Sequence, residues 1–201
     1  MRKGELTKQM IVAGALQTVE KVGLEALTFA PLAEQLGISK SGIFTHFRTR
    51  DELLKAVIDR ASQEFIDRVL VPAVKEKRGL PRLRRIFANW VDYYQHGRRR
   101  IFIYDGGAGS LRDVLHDVHL SWQKEVQRAI RQAKEEGHLA ADVDERQLTF
   151  DLYGVVLSAH HYKHILRDLQ APARAEASLE LMLGLSTGSK RRLSATPAID
   201  S

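Results

Sequence analysis

The chain has 201 residues, of which 44% are hydrophobic, and this is enough for one or two small domains with real cores. It contains no cysteine, which excludes disulfides and thiol catalysis, and no uninterrupted apolar run approaches the roughly 20 residues that a bilayer span needs. No signal peptide precedes the first amphipathic helix, so we expect a cytoplasmic protein without a membrane partner. The net charge of +6 and the pI of about 9.6 suit a polyanionic partner.

The first predicted helix runs from about Leu6 to Val22 and ends at a turn that contains Gly23. A second, shorter helix begins at Thr28, a good N-cap residue, and tolerates Pro31 because a proline in the first turn loses no intrahelical hydrogen bond. Its apolar face carries two leucines four residues apart, Leu32 and Leu36. Gly37 can adopt the positive φ that ends such a helix.

A third, very short helix is predicted directly after this glycine. Ser39 can cap it, and Ile43 and Phe47, four residues apart, can pack inward. The outward positions share small, polar or basic side chains: Lys40, Ser41, Gly42, Thr45 and His46. Such a face suits a DNA groove. Thr49 and Glu52 then have capping-box spacing before an apolar run, which predicts a fourth helix.

Together these elements resemble the N-terminal domain of TetR-family transcriptional regulators. The family pattern runs through alanine, leucine-glycine, valine-serine, tyrosine-x-histidine-phenylalanine, lysine and leucine, and is matched by Ala33, Leu36-Gly37, Ile38-Ser39, Phe44-Thr45-His46-Phe47, Arg50 and Leu53. Two positions depart from it. Phe44 lacks a tyrosine hydroxyl that could bond a phosphate, and Arg50 keeps the charge of lysine but changes its hydrogen-bonding geometry.

The resemblance implies a homodimer in which a recognition helix, Ser39 to Phe44, enters the major groove at each half of a palindromic operator on double-stranded DNA. Base edges are then expected to face Lys40, Ser41, Gly42 and Thr45. Phosphates are expected to be held by Thr28, His46 and Arg50.

Beyond this motif the chain is almost wholly helical by period. Apolar stripes predict helices that end before Pro72, run from about Leu83 to Tyr94, from Leu111 to a cap at Gly137, from a cap at Asp144 to Leu166, and from about Ala173 to Leu185. Residues 96 to 110 hold four glycines and predict a loop or a short irregular helix, and residues 186 to 201 predict a disordered tail.

No segment shows sustained alternation with period two, so the expected fold class is all-α. We expect a three-helix DNA-binding domain with a helix-turn-helix over residues 1–60. A larger helical domain for effector binding and dimerisation is expected over residues 61–185.

Positive charge is concentrated in residues 75 to 100, which hold nine lysines or arginines against two acidic residues. Residues 1 to 60, by comparison, hold nine against seven. We interpret the basic run as solvated helix ends and a loop. The alternative is a cluster that attracts DNA or an anionic ligand.

The family pairs its last two helices with their copies across a two-fold axis, and the resemblance implies the same interface here. Gly154 and Ser158, four residues apart, are small enough to let another helix approach closely. The last helix carries apolar side chains around much of its circumference, among them Leu179, Met182 and Leu183. The alternative is that both faces are internal core.

An effector cavity is expected between the C-terminal helices, since helical domains of this size place ligand sites there, lined by apolar and aromatic side chains. The residues expected to line it are Trp90, Tyr94, Trp122 and Tyr153, with His160 or His161 as a polar contact. Such a lining favours a small aromatic or lipophilic effector over a sugar. For each ring, ordinary core packing is the alternative.

His160 and His164 share one helix face, as a metal site needs, and His116 and His119 could join them. No carboxylate completes a recognisable ligand set, so we assign neither a metal nor a cofactor. No nucleophile elbow, phosphate-cradling glycine loop or paired carboxylates appear, so no catalysis is expected.

The leading hypothesis is a DNA-binding transcriptional regulator that acts as a ligand-responsive repressor. A constitutive DNA-organising protein is one alternative. A small-molecule-binding helical protein with a vestigial DNA-binding head is another.

Overall fold

A computed structural model describes residues 3–96 and 110–186 of the chain. The α-helices are α1 (Lys3–Val22), α2 (Phe29–Leu36), α3 (Lys40–Phe44), α4 (Arg50–Phe65), α5 (Leu80–Gln95), α6 (Ser110–Glu135), α7 (Glu145–His164) and α8 (Ala171–Ser186). A π-helical turn over Ile66–Leu70 and a 3-10 helix over Pro72–Lys75 lie between α4 and α5. The described residues contain no strand, and the all-α expectation is confirmed. The predicted loop and tail fall mainly on residues 97–109 and 187–201, outside the described part.

Capping residues fix where α2 ends and where α3 begins, and a glycine lies where α1 crosses α2. Gly37 adopts φ +64° and ends α2. The Ser39 hydroxyl accepts a hydrogen bond from the Gly42 amide at 3.0 Å and starts α3. At the crossing of α1 and α2 a Cβ added to Gly14 would lie 2.6 Å from Leu36 Cδ2, so a larger residue there would require the Leu36 side chain to shift.

Helix α4 joins the N-terminal helices to the rest of the molecule. The predicted cap forms, because the Thr49 hydroxyl accepts from the Glu52 amide at 3.1 Å and the Glu52 carboxylate accepts from the Arg48 amide at 2.8 Å. The helix continues past residue 60, where the sequence analysis divides the domains, and passes directly into the π-helical turn. Asn89 on α5 donates to the Val69 carbonyl in that turn at 3.1 Å, which ties the end of this segment to α5.

The core of the C-terminal part is an aromatic cluster at the end of α4. The Phe65 ring is buried, and its centroid lies 6.1 Å from that of Trp90, 5.4 Å from that of Tyr93 and 5.7 Å from that of Trp122. Edge and tilted contacts of this kind add stability beyond the burial of area. The last turn of α4 is therefore held by α5 and α6.

In the described part of the basic run, several arginines bridge separate elements. Arg84 forms a bidentate pair with Glu180 on α8 at 2.7 and 2.8 Å, and Arg78 pairs with Glu135 at the end of α6 at 2.6 Å. These hydrogen bonds hold the pKa of the Glu180 carboxyl below its usual range. Each pair is partly exposed and contributes about 0–1 kcal/mol, so the bridges orient the helices more than they stabilise them.

No helix of the described residues is long and apolar enough to cross a membrane.

Phe65→Ala is expected to lower the free energy of unfolding by about 3–5 kcal/mol, because it leaves a cavity among packed aromatic rings. Urea denaturation followed by circular dichroism, at one fixed protein concentration, measures the loss. Val74→Ala is the control, since Val74 is exposed and its truncation should change stability by no more than about 0.5 kcal/mol. A loss for Phe65→Ala as small as that of the control would contradict the described packing.

Candidate nucleic-acid interface and effector region

Helix α3 presents a polar surface on a buried apolar base. Ile43 and Phe47 are buried, as expected, while Lys40, Ser41 and Thr45 are exposed. The Thr45 hydroxyl donates to the Ser41 carbonyl at 3.0 Å, which leaves its oxygen as an acceptor. This side of α3 can therefore offer a cation and hydroxyls to base edges.

Phe44 closes the end of α3. Its ring packs edge-on against Phe29 at a centroid distance of 4.9 Å and is still 44% exposed. Lys40 Nζ lies 5.8 Å from the Phe44 ring centroid, within range of a cation–π contact. The phenylalanine at the family's tyrosine position thus braces α3 against the first residue of α2 and positions the Lys40 ammonium.

The N-terminus of α2 is open to an anion. Thr28 occupies the N-cap position as predicted, but its side chain makes no capping hydrogen bond and is exposed. A free hydroxyl beside the first amides of a helix suits a phosphate oxygen. His46 is half-buried, and its ring lies near the start of α1, where a Cβ on Gly4 would be 3.9 Å from His46 Cε1.

Arg50 has different partners from those expected. Its Nε donates to the Leu27 carbonyl at 2.8 Å, and its Nη2 donates to the carbonyls of Leu24 at 2.7 Å and Glu25 at 3.1 Å. These carbonyls belong to the turn between α1 and α2. The guanidinium thus binds the turn that leads into Thr28, and its contact with a phosphate stays a prediction.

The aromatic residues predicted to line an effector site come together and pack against one another. The ring centroid of Trp90 lies 4.7 Å from that of Trp122, 6.5 Å from that of Tyr94 and 5.7 Å from that of Tyr153. The rings of Trp90 and Tyr153 are stacked. Burial raises the pKa of the Tyr94 hydroxyl well above its usual value, and Tyr153 adds to this shift. A ligand that touches Trp90 or Tyr94 must open this packing, since both side chains are buried.

The histidines on α7 contact other rings of the same helix. The His160 ring lies 4.7 Å from that of His164, and the His161 ring lies 6.4 Å from that of Tyr162. Within residues 3–96 and 110–186, no group of three or more His, Cys, Asp or Glu side chains could hold a metal ion.

A cavity of about 720 Å³ lies between α5 and α8. Its wall includes Phe87, Ala88, Val91, Gln95, Lys163 and Leu179, and none of the six residues predicted for the effector site. Tyr153 instead borders a smaller groove of about 430 Å³ between α6 and α7. The sequence analysis missed the α5–α8 cavity because its lining is mostly aliphatic and charged and carries no aromatic pattern.

The residues predicted for a dimer interface divide into two groups. Gly154 and Ser158 are exposed, a Cβ added to Gly154 would meet no atom within 4 Å, and Met182 is half-buried. Leu179 and Leu183, by contrast, are only 3% and 1% exposed because they pack inside the protomer. The expectation that these two leucines form an interface is therefore wrong.

Other apolar side chains are exposed on α7, on α8 and on the turn between them. Phe150 is 70% exposed and Leu181 is 63% exposed. The other members of this set are Tyr162, Ile165, Leu166 and Leu169. A surface with this much exposed apolar area is typical of an interaction site.

Two family models match the chain. The model of bacterial regulatory proteins of the tetR family covers residues 11–57, and that of the tetracyclin repressor-like C-terminal domain covers residues 79–179. The chain belongs to the TetR family of transcriptional regulators. The first match contains α2 and α3, and the second contains α5, α6 and α7.

Solved TetR-family structures share the fold. A TetR regulator from Chloroflexus aurantiacus is 20% identical, with a TM-score of 0.83 over 92% of this chain and 98% of that one. AibR, crystallised with isovaleryl coenzyme A and operator DNA, is 18% identical, with a TM-score of 0.70 over 90% of this chain and 98% of that one.

Similarity to curated proteins is more local. An HTH-type transcriptional repressor of Mycobacterium tuberculosis is 29% identical over 65 residues, which are 32% of this chain and only 25% of the repressor. The nucleoid occlusion factor SlmA of Vibrio atlanticus is 22% identical over 160 residues, 77% of this chain and 82% of that protein.

Arg50→Met is expected to speed hydrogen exchange of the backbone amides in residues 23–29, because the carbonyls of this turn lose their shared donor. If Arg50 holds no phosphate, the dependence of DNA affinity on salt concentration should keep the same logarithmic slope, whereas a lost phosphate contact would reduce that slope by about one. Exchange followed by mass spectrometry and binding titrations at several salt concentrations measure the two effects.

The matched control is Arg48→Met, since Arg48 is exposed and has the same charge two residues away. This variant should leave exchange in the turn unchanged. A reduced salt slope for Arg50→Met without faster exchange would restore the phosphate role.

Proposed function

We propose that the chain is a homodimeric repressor that binds a palindromic operator and is released from it by a small molecule. The observation that carries this proposal is the exposed face of α3, where Lys40, Ser41 and Thr45 stand on the buried pair Ile43 and Phe47. A short helix that packs on a buried apolar pair and is polar on its exposed side fits the major groove.

The contacts with DNA divide into reading and positioning. Base edges face Lys40, Ser41, Gly42 and Thr45. Phosphates are held by Thr28 and His46. Ser39 caps the recognition helix and Phe44 braces its end, while Arg50 holds the turn that presents Thr28.

The second copy binds at the surface of α7 and α8. Gly154 and Ser158 allow close approach of a helix, and Phe150, Tyr162 and Leu181 supply exposed apolar area around them. A two-fold interface here would place two reading heads, each formed by α1, α2 and α3, on one DNA duplex. Joint engagement of both half-sites raises affinity far above that of one head.

An effector acts through the C-terminal helices. The solved complex of AibR contains both isovaleryl coenzyme A and operator DNA, and its fold is shared. Here Phe65 links the aromatic cluster of Trp90, Trp122 and Tyr153 to the helix that carries the reading head, so a small aromatic or lipophilic molecule that reorganises this cluster would move α4. Such a molecule releases DNA only if it binds the two states of the dimer with different affinity.

A second candidate function is constitutive organisation of DNA without an effector. The similarity to a nucleoid occlusion factor over 77% of this chain favours it. Both functions use the same reading head and the same dimer, so the distribution of bound sites distinguishes them.

The wild-type protein is expected to select a sharp palindrome from a pool of random genomic fragments in a mobility-shift assay. Lys40→Ala and Thr45→Ala should each change the preferred base at one or two positions, by about 1–3 kcal/mol, because each removes a base contact. Glu25→Ala, on an exposed residue of the α1–α2 turn, serves as a control that should keep the wild-type palindrome.

Identical preferred sites for the wild type and both variants would contradict the assigned reading face. Uniform binding of all fragments would favour the DNA-organising function, and no binding would favour a vestigial head.

Ser158→Arg is expected to give monomers by light scattering and to abolish tight operator binding, because a bulky charge then lies in the helix-packing surface. Ser121→Arg is the matched control, since Ser121 is an exposed serine on α6 and not on α7 or α8. A Ser158→Arg protein that stays dimeric would place the interface elsewhere.

A further inference from the structure

The α5–α8 cavity has an apolar floor of a size that suits a small ligand. Its volume of about 720 Å³ lies in the range of ordinary ligand pockets. Phe87, Val91 and Leu179 form the buried part of the wall, and the small side chains of Ala88 and Ala173 keep the space between the helices open. The groove follows α5 from Gln95 back to Arg84, a length of roughly 16 Å at about 1.5 Å per residue.

At one end of the groove, the charged side chains form ion pairs with one another. Arg84 is bidentate with Glu180, and Arg85 pairs with Glu76 at 3.0 Å. Each cation has its own carboxylate, so this end carries little net charge and attracts neither an anion nor a cation strongly.

The opposite end has polar groups without such partners. Gln95 is 6% exposed, and neither its amide oxygen nor its amide nitrogen has a hydrogen-bond partner in the described part of the chain. A buried amide of this kind is stabilised by a partner that reaches it. Lys163, half-buried in the last turn of α7, forms no ion pair with a described residue.

The acidic groups at this end decide where an anion can sit. Asp92 lies beside His96, with 3.3 Å between Oδ1 and Nδ1, and Glu176 is exposed one turn into α8. Both carboxylates repel an anion. The amides at the start of α8 attract none, because Pro172 has no N–H and the Asp168 carboxylate already accepts from the Gln170 amide at 2.8 Å. The favourable position is therefore beside Lys163 and Gln95.

We propose that the α5–α8 cavity binds an amphipathic organic anion, with its carboxylate toward Lys163 and Gln95 and its hydrocarbon chain along Phe87, Val91 and Leu179. A carboxylate of about ten carbons matches the length of the groove. The inference rests on the proposed function, because this molecule would act as an effector, at a site separate from the aromatic cluster.

Isothermal titration calorimetry of the full chain without DNA tests the assignment. Decanoate, decanol and decyltrimethylammonium, each below its aggregation concentration, share one chain and differ in the head group. Wild-type protein is expected to bind decanoate at least about fivefold more tightly than decanol, since a hydrogen bond to a charged group is worth at least that factor. The cationic compound should bind more weakly than decanol.

Two variants locate the site. Lys163→Gln should remove the preference for decanoate and leave decanol binding unchanged, and Ala88→Phe should weaken both because its ring fills the groove. Lys124→Gln is the control, since Lys124 borders the separate groove between α6 and α7. Thermal melts followed by circular dichroism verify that each variant folds. If Ala88→Phe does not fold, Lys163→Gln still tests the site, because it substitutes a partly solvated side chain.

The proposal is overturned if decanoate and decanol bind equally, if the cationic compound binds more tightly, if no compound binds, or if Lys163→Gln has no effect. A mobility-shift assay on the same preparations tests DNA binding separately. Operator binding without decanoate binding therefore overturns the cavity assignment alone, and decanoate binding without operator binding overturns the DNA-binding function alone.

Discussion

Helix α4 is the element on which the rest of the structure depends, because it is buried at both ends by different partners. Near its start, Leu53 and Leu54 are fully buried with the N-terminal helices, and at its last residue Phe65 lies among the rings of α5 and α6. A helix is stiff over this length, so its ends cannot be reoriented independently. The π-helical turn after Phe65 then lets the chain leave the helix without breaking the packing, and the Asn89 side chain holds its Val69 carbonyl.

The geometry of the reading head also depends on Arg50, a side chain that does not belong to the exposed face of α3. Arg50 stands at the first position of α4 and binds three carbonyls of the preceding turn. Lysine, with a single ammonium group on a flexible stem, cannot reproduce the planar arrangement of donors that reaches all three. The replacement of the family's lysine by arginine therefore exchanges an available charge for a fixed turn, and Thr28 at the end of that turn is the residue that gains a defined position.

Local signals in the sequence were sufficient for the helix ends and for the face of α3. Thr49 with Glu52, Asp144 and Gly137 act within a few residues, so their capping roles follow from spacing alone. Contacts between distant residues were not predictable in this way: Arg84 and Glu180 are 96 positions apart, and the basic run that contains Arg84 looked solvated. The same limit applies to α8, where apolar residues around the helix did not reveal which of them face inward. The surrounding helices decide that Leu179 and Leu183 are core while Leu181 is surface.

Helix α8 contributes to both the cavity and the proposed dimer surface, so a shift of this helix would affect both. Its inner leucine Leu179 lines the α5–α8 cavity, and its outer residue Leu181 faces away from the protomer. Across the cavity α8 is bridged to α5 by the Arg84–Glu180 pair, which is partly exposed and contributes about 0–1 kcal/mol, whereas the Phe65 cluster that holds α4 is buried and several times stronger. The distance between α5 and α8 is therefore easier to change than the packing of α4 against the aromatic cluster. In the proposed dimer, a ligand that widened or narrowed this gap would act on the surface that sets the distance between the two reading heads. It would do so without disrupting the packing that holds either head to its own helix α4.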